Sequence, residues 1–189
     1  EQSIHQLHRI LLKHSEKDQL HRGNYKISSN KVVESYPDGI KRTLVDPTPP
    51  HLVSVEMPQL IEWLNERIIN HDMHPLVFIA GFVYEFLTIH PYKDGNGRLS
   101  RLLITLLMMK QGYGYIQFAS FERVIESSKE EYYRVLMEGQ KKRYNDKERV
   151  SAWVLYFMRC LIKLTEGLDA KYETYSKLKT RLNRRQQMV

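Results

Sequence analysis

The residues from His90 to Arg101 carry more chemistry than any other part of the chain. They read His-Pro-Tyr-Lys-Asp-Gly-Asn-Gly-Arg-Leu-Ser-Arg, between two strongly apolar segments. The stretch combines an imidazole, a carboxylate, a glycine-rich turn and two arginines. Such a set could hold a magnesium–nucleotide and let a nucleophile attack it.

The second half of this stretch is suited to binding an anion. If a helix begins near Gly97, Arg98 and Arg101 share one face of its first turn, because residues three apart are neighbours on a helix. The free amides of that turn and of Gly95 to Gly97 would form an anion site at the positive end of the helix dipole. Two guanidinium groups would repel each other there unless an anion lay between them, and arginine binds phosphate oxygens bidentately.

The first half supplies an acid–base group and a metal ligand. The carboxylate of Asp94 is the kind of hard oxygen ligand that magnesium takes together with substrate phosphates. His90 follows an apolar helix, and an unperturbed imidazole is mostly neutral at neutral pH, which suits a general base. Taken singly, each part has a simpler interpretation: a tight Asp-Gly/Asn-Gly turn, a core histidine and two solvated arginines. The combination favours a nucleotide site.

Helices are predicted over most of the chain, so the fold class is all-α with a small β-hairpin. Apolar residues cover nearly every face of the third helix, which predicts a buried centre. Pro58 and Pro75 suit first helical turns, and Gly112 suits a C-terminal cap. The predicted helices span Ile4–Lys13, Pro58–Ile69, Pro75–Ile89, Arg98–Gln111 and Val150–Leu168.

A hairpin is predicted at residues 31–45, where two strand-like runs flank Pro37-Asp38-Gly39. A lone two-stranded hairpin is marginally stable, so it should pack against the helices.

Composition narrows the class of protein. The chain has 189 residues, 42% of them apolar, a net charge of +7 and one cysteine, Cys160. This size fits one domain, no apolar run is long enough to span a bilayer, and an internal disulfide is excluded. The prediction is a cytoplasmic protein without a membrane partner.

The motif resembles the signature of the Fic family, H-P-F-x-D/E-G-N-G/K-R-x-x-R. It departs from the usual pattern at Tyr92, which keeps the aromatic ring but adds a hydroxyl that needs a partner. The resemblance extends over residues 4 to 165 and implies a catalytic core at 1–168. Other landmarks are Gly23-Asn24-Tyr25-Lys26, Trp63-Leu64-Asn65, His74-Pro75 and Gly112-Tyr113.

The resemblance implies a protein adenylyltransferase that uses ATP and Mg2+. His90 would accept the proton of a target Tyr, Thr or Ser hydroxyl, which attacks the α-phosphorus. The loop amides of Gly95 and Gly97 and the Asn96 side chain would hold the phosphates, and Asp94 the metal. Arg98 would support the β-phosphate and Arg101 the γ-phosphate.

Two further regions gain roles from the resemblance. The hairpin, at about Val33 to Leu44, would be a flap on which the protein substrate docks, unless it is only a stabilising surface hairpin. Tyr133 would contact the adenine ring and Gln140 would make a polar contact to it, although both could be ordinary packing residues.

The sequence contains no recognisable inhibitory helix. Fic enzymes are often inhibited by a helix with the pattern S/T-x-x-x-E-G/N, whose glutamate pairs with the second motif arginine. No match occurs: Glu138-Gly139 and Glu166-Gly167 have Arg134 and Ile162 where Ser or Thr is needed. Two expectations stay open, an inhibitory helix before Glu1 or an antitoxin-like partner that binds near Arg101.

The basic segment 169–189 is expected to be a helical tail. It resembles the beginning of the winged-helix domains that follow some Fic cores, and only such a domain would bring DNA binding. The resemblance is also compatible with a homodimer.

Three alternative functions remain open: another phosphate-containing group transfer on the same fold, removal of AMP from a modified protein, and a non-enzymatic regulatory binding module. Gly97 disfavours phosphorylation, since the phosphorylating branch resembles the pattern with lysine there.

Overall fold

The computed structural model describes the backbone of residues 1–15, 21–30, 32–35, 41–45, 47–141, 143 and 148–186, with side chains except at 32–35, 41–45 and 179–186. The prediction of a mostly helical fold is confirmed. The elements are α1 (Gln2–Leu11), β1 (Val32–Ser35), β2 (Lys41–Val45), α2 (Pro50–Asn70), α3 (Pro75–Ile89), α4 (Asn96–Lys110), a 3-10 helix (Gly114–Phe118), α5 (Phe121–Ser127), α6 (Lys129–Gln140) and α7 (Ser151–Gln186).

Helix α3 is the buried centre, as its all-round apolar sequence predicts. From Phe78 to Ile89, every residue except Gly81 and Glu85 is buried. The helix packs against α2, α4, α6 and α7. The loop that follows α3 therefore starts from a fixed point in the core.

Helix α4 runs back along α3 and begins at Asn96, two residues before the predicted Arg98. Its end agrees with the prediction: Gly112 has φ of +89°, and the next amide, of Tyr113, donates to the carbonyl of Met108 at 2.9 Å. Glycine adopts this left-handed conformation without a steric penalty.

Helix α2 begins at Pro50, so the placement of Pro58 in a first turn is wrong, whereas Pro75 does begin α3. Pro58 lies inside α2 and cannot donate to the carbonyl of Ser54, which weakens the helix locally. The helix continues through this point because it buries an apolar stripe on both sides of the proline. That stripe consists of Val53, Met57, Leu60 and Leu64.

Strands β1 and β2 pair antiparallel, with Ser35 opposite Lys41 and Glu34 opposite Arg42. The register shifts between Val32 and Val33, and β2 contacts α6. The predicted turn residues Pro37, Asp38 and Gly39 lie outside the described residues.

The C-terminal half differs most from the prediction. Helices α5 and α6 were not expected, although Ser120 and Ser128 precede them and acidic residues occupy their first turns, a common N-terminal pattern. Helix α7 continues without a break past Leu168, where the core was predicted to end and the tail to begin. Of its described side chains from Thr165 to Leu178, none is buried. The domain boundary itself stays a prediction.

Within the described ranges, no helix combines the length and apolar content needed to cross a bilayer.

Two helical glycines provide a matched test of this packing. A Cβ at Gly139 in α6 would come within 2.5 Å of the hydroxyl of Tyr84, a buried residue, whereas a Cβ at Gly167 in α7 would meet nothing within 4 Å. We expect Gly139→Ala to lower the free energy of unfolding by about 1–3 kcal/mol through overpacking. Gly167→Ala should raise it by up to about 1 kcal/mol, because alanine favours the helix. Urea denaturation measures both, and equal effects of the two substitutions would contradict this packing.

Candidate functional site

The functional motif forms the short connection between α3 and α4. The chain reverses direction there through two left-handed residues, His90 with φ of +51° and Gly95 with φ of +80°. Left-handed backbone is costly for a residue with a side chain, so the position of His90 must be held by its surroundings. This turn brings the C-terminus of α3 and the N-terminus of α4 to one place.

The Asn96 side chain braces this loop internally. Its Oδ1 accepts from the amide of Tyr92 at 2.9 Å, and its Nδ2 donates to the carbonyl of the same residue at 2.7 Å. The residue is 1% exposed. The side chain thus uses both polar ends within the loop, and this differs from the phosphate contact expected of it.

The imidazole of His90 has a defined orientation. Its Nδ1 lies 3.2 Å from the carbonyl oxygen of Leu87. Because a carbonyl only accepts, Nδ1 carries the hydrogen and Nε2 keeps its lone pair. Burial lowers the pKa of His90 to about 4, with a smaller decrease from Lys26, while the Leu87 carbonyl and Asp94 act in the opposite direction. The free protein therefore holds a neutral imidazole with an available acceptor nitrogen.

The N-terminus of α4 offers backbone donors. Leu99 makes the first intrahelical bond, to the carbonyl of Gly95 at 2.8 Å. The amides of Asn96, Gly97 and Arg98 precede it and have no intrahelical acceptor, which is the usual state of a first turn. These donors lie at the positive end of the helix dipole and suit an anion.

Each motif arginine has a carboxylate partner. Arg98 donates from Nη2 to Asp94 Oδ2 at 3.0 Å, and both side chains are about half exposed. Arg101 forms an ion pair through Nε with the carboxylate of Glu122 in α5. The expected repulsion between the guanidinium groups is thus relieved in the free protein by two carboxylates.

Two cavities meet at these groups. A cavity of about 600 Å³ is lined by residues 93–98 together with Ser29 and Asn30. A smaller one of about 250 Å³ has mixed walls, in which Leu87, Ile125 and Leu136 lie beside tyrosines and charged side chains. Both are lined by His90, Gly97, Arg101 and Tyr133. The imidazole and the start of α4 therefore line the same two neighbouring cavities.

The two residues expected at the adenine differ in position. Tyr133 lines both cavities. Gln140 lines neither, and its Nε2 donates to Thr88 Oγ1 at 3.1 Å. The structure thus brings Tyr133 to the motif and leaves Gln140 in a hydrogen bond with α3.

The Tyr92 hydroxyl has the partner that the sequence requires. It lies 3.0 Å from His5 Nδ1, and the ring stacks on His8 with centroids 3.8 Å apart. His8 accepts from the amide of Gly23 through Nδ1 and therefore donates from Nε2 to the carbonyl of Asp94, at 3.0 Å. Helix α1 thus fixes the rear of the loop.

The side chains at the site fit a magnesium ion only with help from a substrate. Among the residues that the structure describes, no group of three His, Cys, Asp or Glu side chains could hold a metal. Magnesium nevertheless binds through one carboxylate, phosphate oxygens and water. Asp94 lines the larger cavity beside the amides of α4 and could supply that carboxylate.

Sequence reasoning missed Glu122 and the contacts that Lys26 and Asn30 make with the loop. Ser120, whose Oγ accepts from the Arg123 amide at 3.3 Å, would have located the start of α5. No local pattern indicates that this start faces Arg101, because α5 and α4 meet only in the folded chain.

The lowered pKa of His90 makes a prediction about stability. In the unfolded chain the pKa of His90 is about 6.5. Below that pH the unfolded chain binds a proton on this imidazole that the folded state does not bind. The contribution of His90 to the free energy of unfolding is intact above this pH and is lost as the pH falls towards about 4, by up to about 3 kcal/mol. Urea denaturation at about pH 7 and about pH 4.5 should show that the free energy of unfolding falls more for the natural chain than for His90→Gln. Equal losses would contradict the buried neutral imidazole.

Comparison with known proteins agrees with this geometry. The sequence matches the Fic/DOC family over residues 1–108. It is 34% identical over 110 residues to protein adenylyltransferase Fic of Drosophila willistoni, covering 58% of this chain and 20% of that protein. It is 42% identical over 67 residues to the protein of the same name from Culex quinquefasciatus, covering 35% and 13%. The chain thus spans a fifth or less of the length of these two relatives.

Solved structures share the fold. A Fic family protein from Desulfovibrio desulfuricans G20 superimposes with a TM-score of 0.68 and 25% identity, over 90% of this chain and 47% of that one. Fic-1 of Caenorhabditis elegans gives a TM-score of 0.63 and 22% identity, over 94% and 44%. Since the family match covers more than half of the sequence, this chain belongs to the Fic/DOC family.

Proposed function

We propose that this chain is a protein adenylyltransferase, which transfers AMP from ATP to a hydroxyl side chain of another protein. The observation that carries the proposal is the shared cavity: His90, whose Nδ1 is engaged with the Leu87 carbonyl, and the amide-rich start of α4 line the same cavity. An anion-binding helix start beside a neutral imidazole suits attack on a phosphate ester. The names of the curated relatives support the same reaction.

In the proposed reaction, Nε2 of His90 accepts the proton of a Tyr, Thr or Ser hydroxyl on the target. The hydroxyl oxygen forms a bond to the α-phosphorus, while the bond from that phosphorus to the oxygen bridging to the β-phosphate breaks. Pyrophosphate leaves with the bridging oxygen, AMP stays on the target, and His90 returns its proton to solvent. The charge of a bound triphosphate raises the pKa of His90, which makes it a stronger base.

The motif supplies placement and charge neutralisation. The amides of Gly97 and Arg98 bind phosphate oxygens, and the two arginines exchange their carboxylate partners for the β- and γ-phosphates. Asp94, once released from Arg98, would hold magnesium, which would neutralise charge on the departing pyrophosphate. The half-exposed Asp94–Arg98 pair is weak, so it opposes this exchange little.

The two cavities divide the nucleotide between them. The larger, polar cavity takes the phosphates. The smaller cavity, with Leu87, Ile125 and Leu136 beside Tyr133, takes the adenine ring. The aromatic and apolar side chains on its wall suit the faces of a planar purine, and its polar groups suit the ring edge.

The strand pair takes the protein substrate. In the described part of the chain the sheet has only two strands, so each has an unpaired edge on which an extended segment could add. Strand β2 contacts α6, the helix that carries Tyr133. A segment that adds to the flap, at about Val33 to Leu44, would thus lie near the cavity that Tyr133 lines.

His90→Ala tests the reaction. With α-labelled ATP and host lysate, the natural chain should label a protein target, and the variant should label it about a hundredfold less or not at all. ATP binding should remain, because the amides and arginines are unchanged. Mass spectrometry of the target distinguishes AMP from phosphate by the added mass. Undiminished labelling by the variant would overturn the proposal.

Glu122 should compete with the nucleotide for Arg101. The pair between them must break before Arg101 reaches a phosphate, and Glu122 is 61% exposed, so the cost is modest. Glu122→Ala should lower the KM for ATP about two- to fivefold. Glu126→Ala is the matched control, because it removes the same charge from the same helix and cavity without an ion pair to Arg101. If the two variants behave alike, the Arg101 pair is not the restraint.

A further inference from the structure

One short segment binds the whole turn that carries His90. Residues 26–30 donate hydrogen bonds to four consecutive carbonyl groups at the end of α3 and the start of the loop. These carbonyls belong to Ile89, His90, Pro91 and Tyr92. No other segment in the described part of the chain donates to all four.

Lys26 makes two of these contacts. Its Nζ donates to the carbonyl of Ile89 at 3.0 Å, and its backbone amide donates to the carbonyl of Pro91 at 2.8 Å. The residue is 4% exposed. A buried ammonium needs hydrogen bonds, and that of Lys26 bonds to the backbone directly before His90. Lys26 is therefore placed to fix this backbone.

Asn30 makes the other two contacts. Its Nδ2 donates to the carbonyl of His90 at 3.2 Å and to that of Tyr92 at 2.5 Å. Its Oδ1 accepts from Lys26 Nζ at 2.9 Å, which orients the amide. Lys26 and Asn30 therefore act as one unit on the backbone on either side of the left-handed His90.

We propose that Lys26, acting together with Asn30, is a positioning residue for the AMP transfer proposed above: it holds His90 in its left-handed backbone and its ring against the cavity. The ammonium lies at the C-terminus of α3, the negative end of that helix dipole, where a cation is stabilised. It also satisfies the Ile89 carbonyl, one of the last four in α3, which have no intrahelical donor. This inference rests on the proposed function, but its structural part concerns the free protein.

The charge of Lys26 has a second effect on the same imidazole. It lowers the pKa of His90 and opposes Asp94, which raises it. Arg101 from α4 lines the same cavities, and α5 and α6 contribute charged residues to the smaller one. These are Glu122, Glu126 and Lys129. Of all these groups, Lys26 is the buried cation bonded to the backbone next to His90.

The first test replaces the charge. In the full chain, Lys26→Met should lower the rate of AMP transfer at saturating ATP about tenfold, with the Kd for ATP changed less than about threefold. Lys26→Arg, which keeps a cation, should recover most of the rate. Lys110→Met, which removes an exposed lysine at the end of α4, should match the natural chain. Full activity of Lys26→Met would overturn the proposal, and so would a loss that appears only in the Kd for ATP.

A second measurement does not require activity. In protein labelled with 13C-histidine, the His90 signal is assigned by its loss in His90→Gln, and its pKa is read by NMR titration. Lys26→Met should raise this pKa and shift the acidic limb of the pH–rate profile upwards, whereas a structural effect alone would lower only the melting temperature. Asn30→Ala should slow transfer while leaving the pKa of His90 near its original value.

The two measurements separate the two hypotheses. If the natural chain transfers no AMP, the proposed function fails. Independently of that result, an unchanged pKa of His90 in Lys26→Met would overturn the positioning role. If Lys26→Met does not fold, Asn30→Ala decides, because it changes no charge. Unaltered transfer by Asn30→Ala would then overturn the proposal.

Discussion

The antiparallel packing of α3 against α4 determines most of the site. Helix α3 ends at Ile89 and α4 begins at Asn96, so the chain has only residues 90–95 in which to reverse. The negative end of one helix dipole and the positive end of the other are thereby brought to the same place. An imidazole at the first and an anion site at the second are then neighbours as a direct consequence of core packing. The burial that stabilises the fold also lowers the pKa of His90.

In the free protein, carboxylates of the same chain already neutralise the two motif arginines that a nucleotide would bind. Asp94 pairs with Arg98, and Glu122 with Arg101, so no guanidinium in the motif faces another without compensation. These pairs are exposed enough on one side to exchange at small cost. A triphosphate would replace the carboxylates as the partner of both arginines, and Asp94 would then be available for a metal. The same contacts therefore stabilise the free state and set how strongly the nucleotide must compete.

The sequence predicts those parts of the site that depend on local order. The motif, the buried α3, the cap at Gly112 and the two short strands follow from spacing and turn chemistry between near neighbours. The extension of α2 past Pro58 does not, because the burial of Val53 and Met57 overrides the local cost of proline. Contacts between distant segments are equally hidden: 60 or more positions separate Lys26 and Asn30 from the four carbonyls they bind. Asn96 was expected to contact phosphate, which stays a prediction, and no local pattern indicated that its side chain also braces the loop through Tyr92.

The loop is held from two sides, and this explains why a tyrosine is tolerated at position 92. On one side, the segment 26–30 binds the carbonyls that flank His90. On the other, His8 stacks on Tyr92 and donates to the carbonyl of Asp94, while His5 meets the Tyr92 hydroxyl. Polar groups from α1 thus satisfy the extra hydroxyl within the same contacts that fix the rear of the loop. Because Nδ1 of His8 accepts from the Gly23 amide, this brace is built on the neutral imidazole with its hydrogen on Nε2, facing the carbonyl of Asp94.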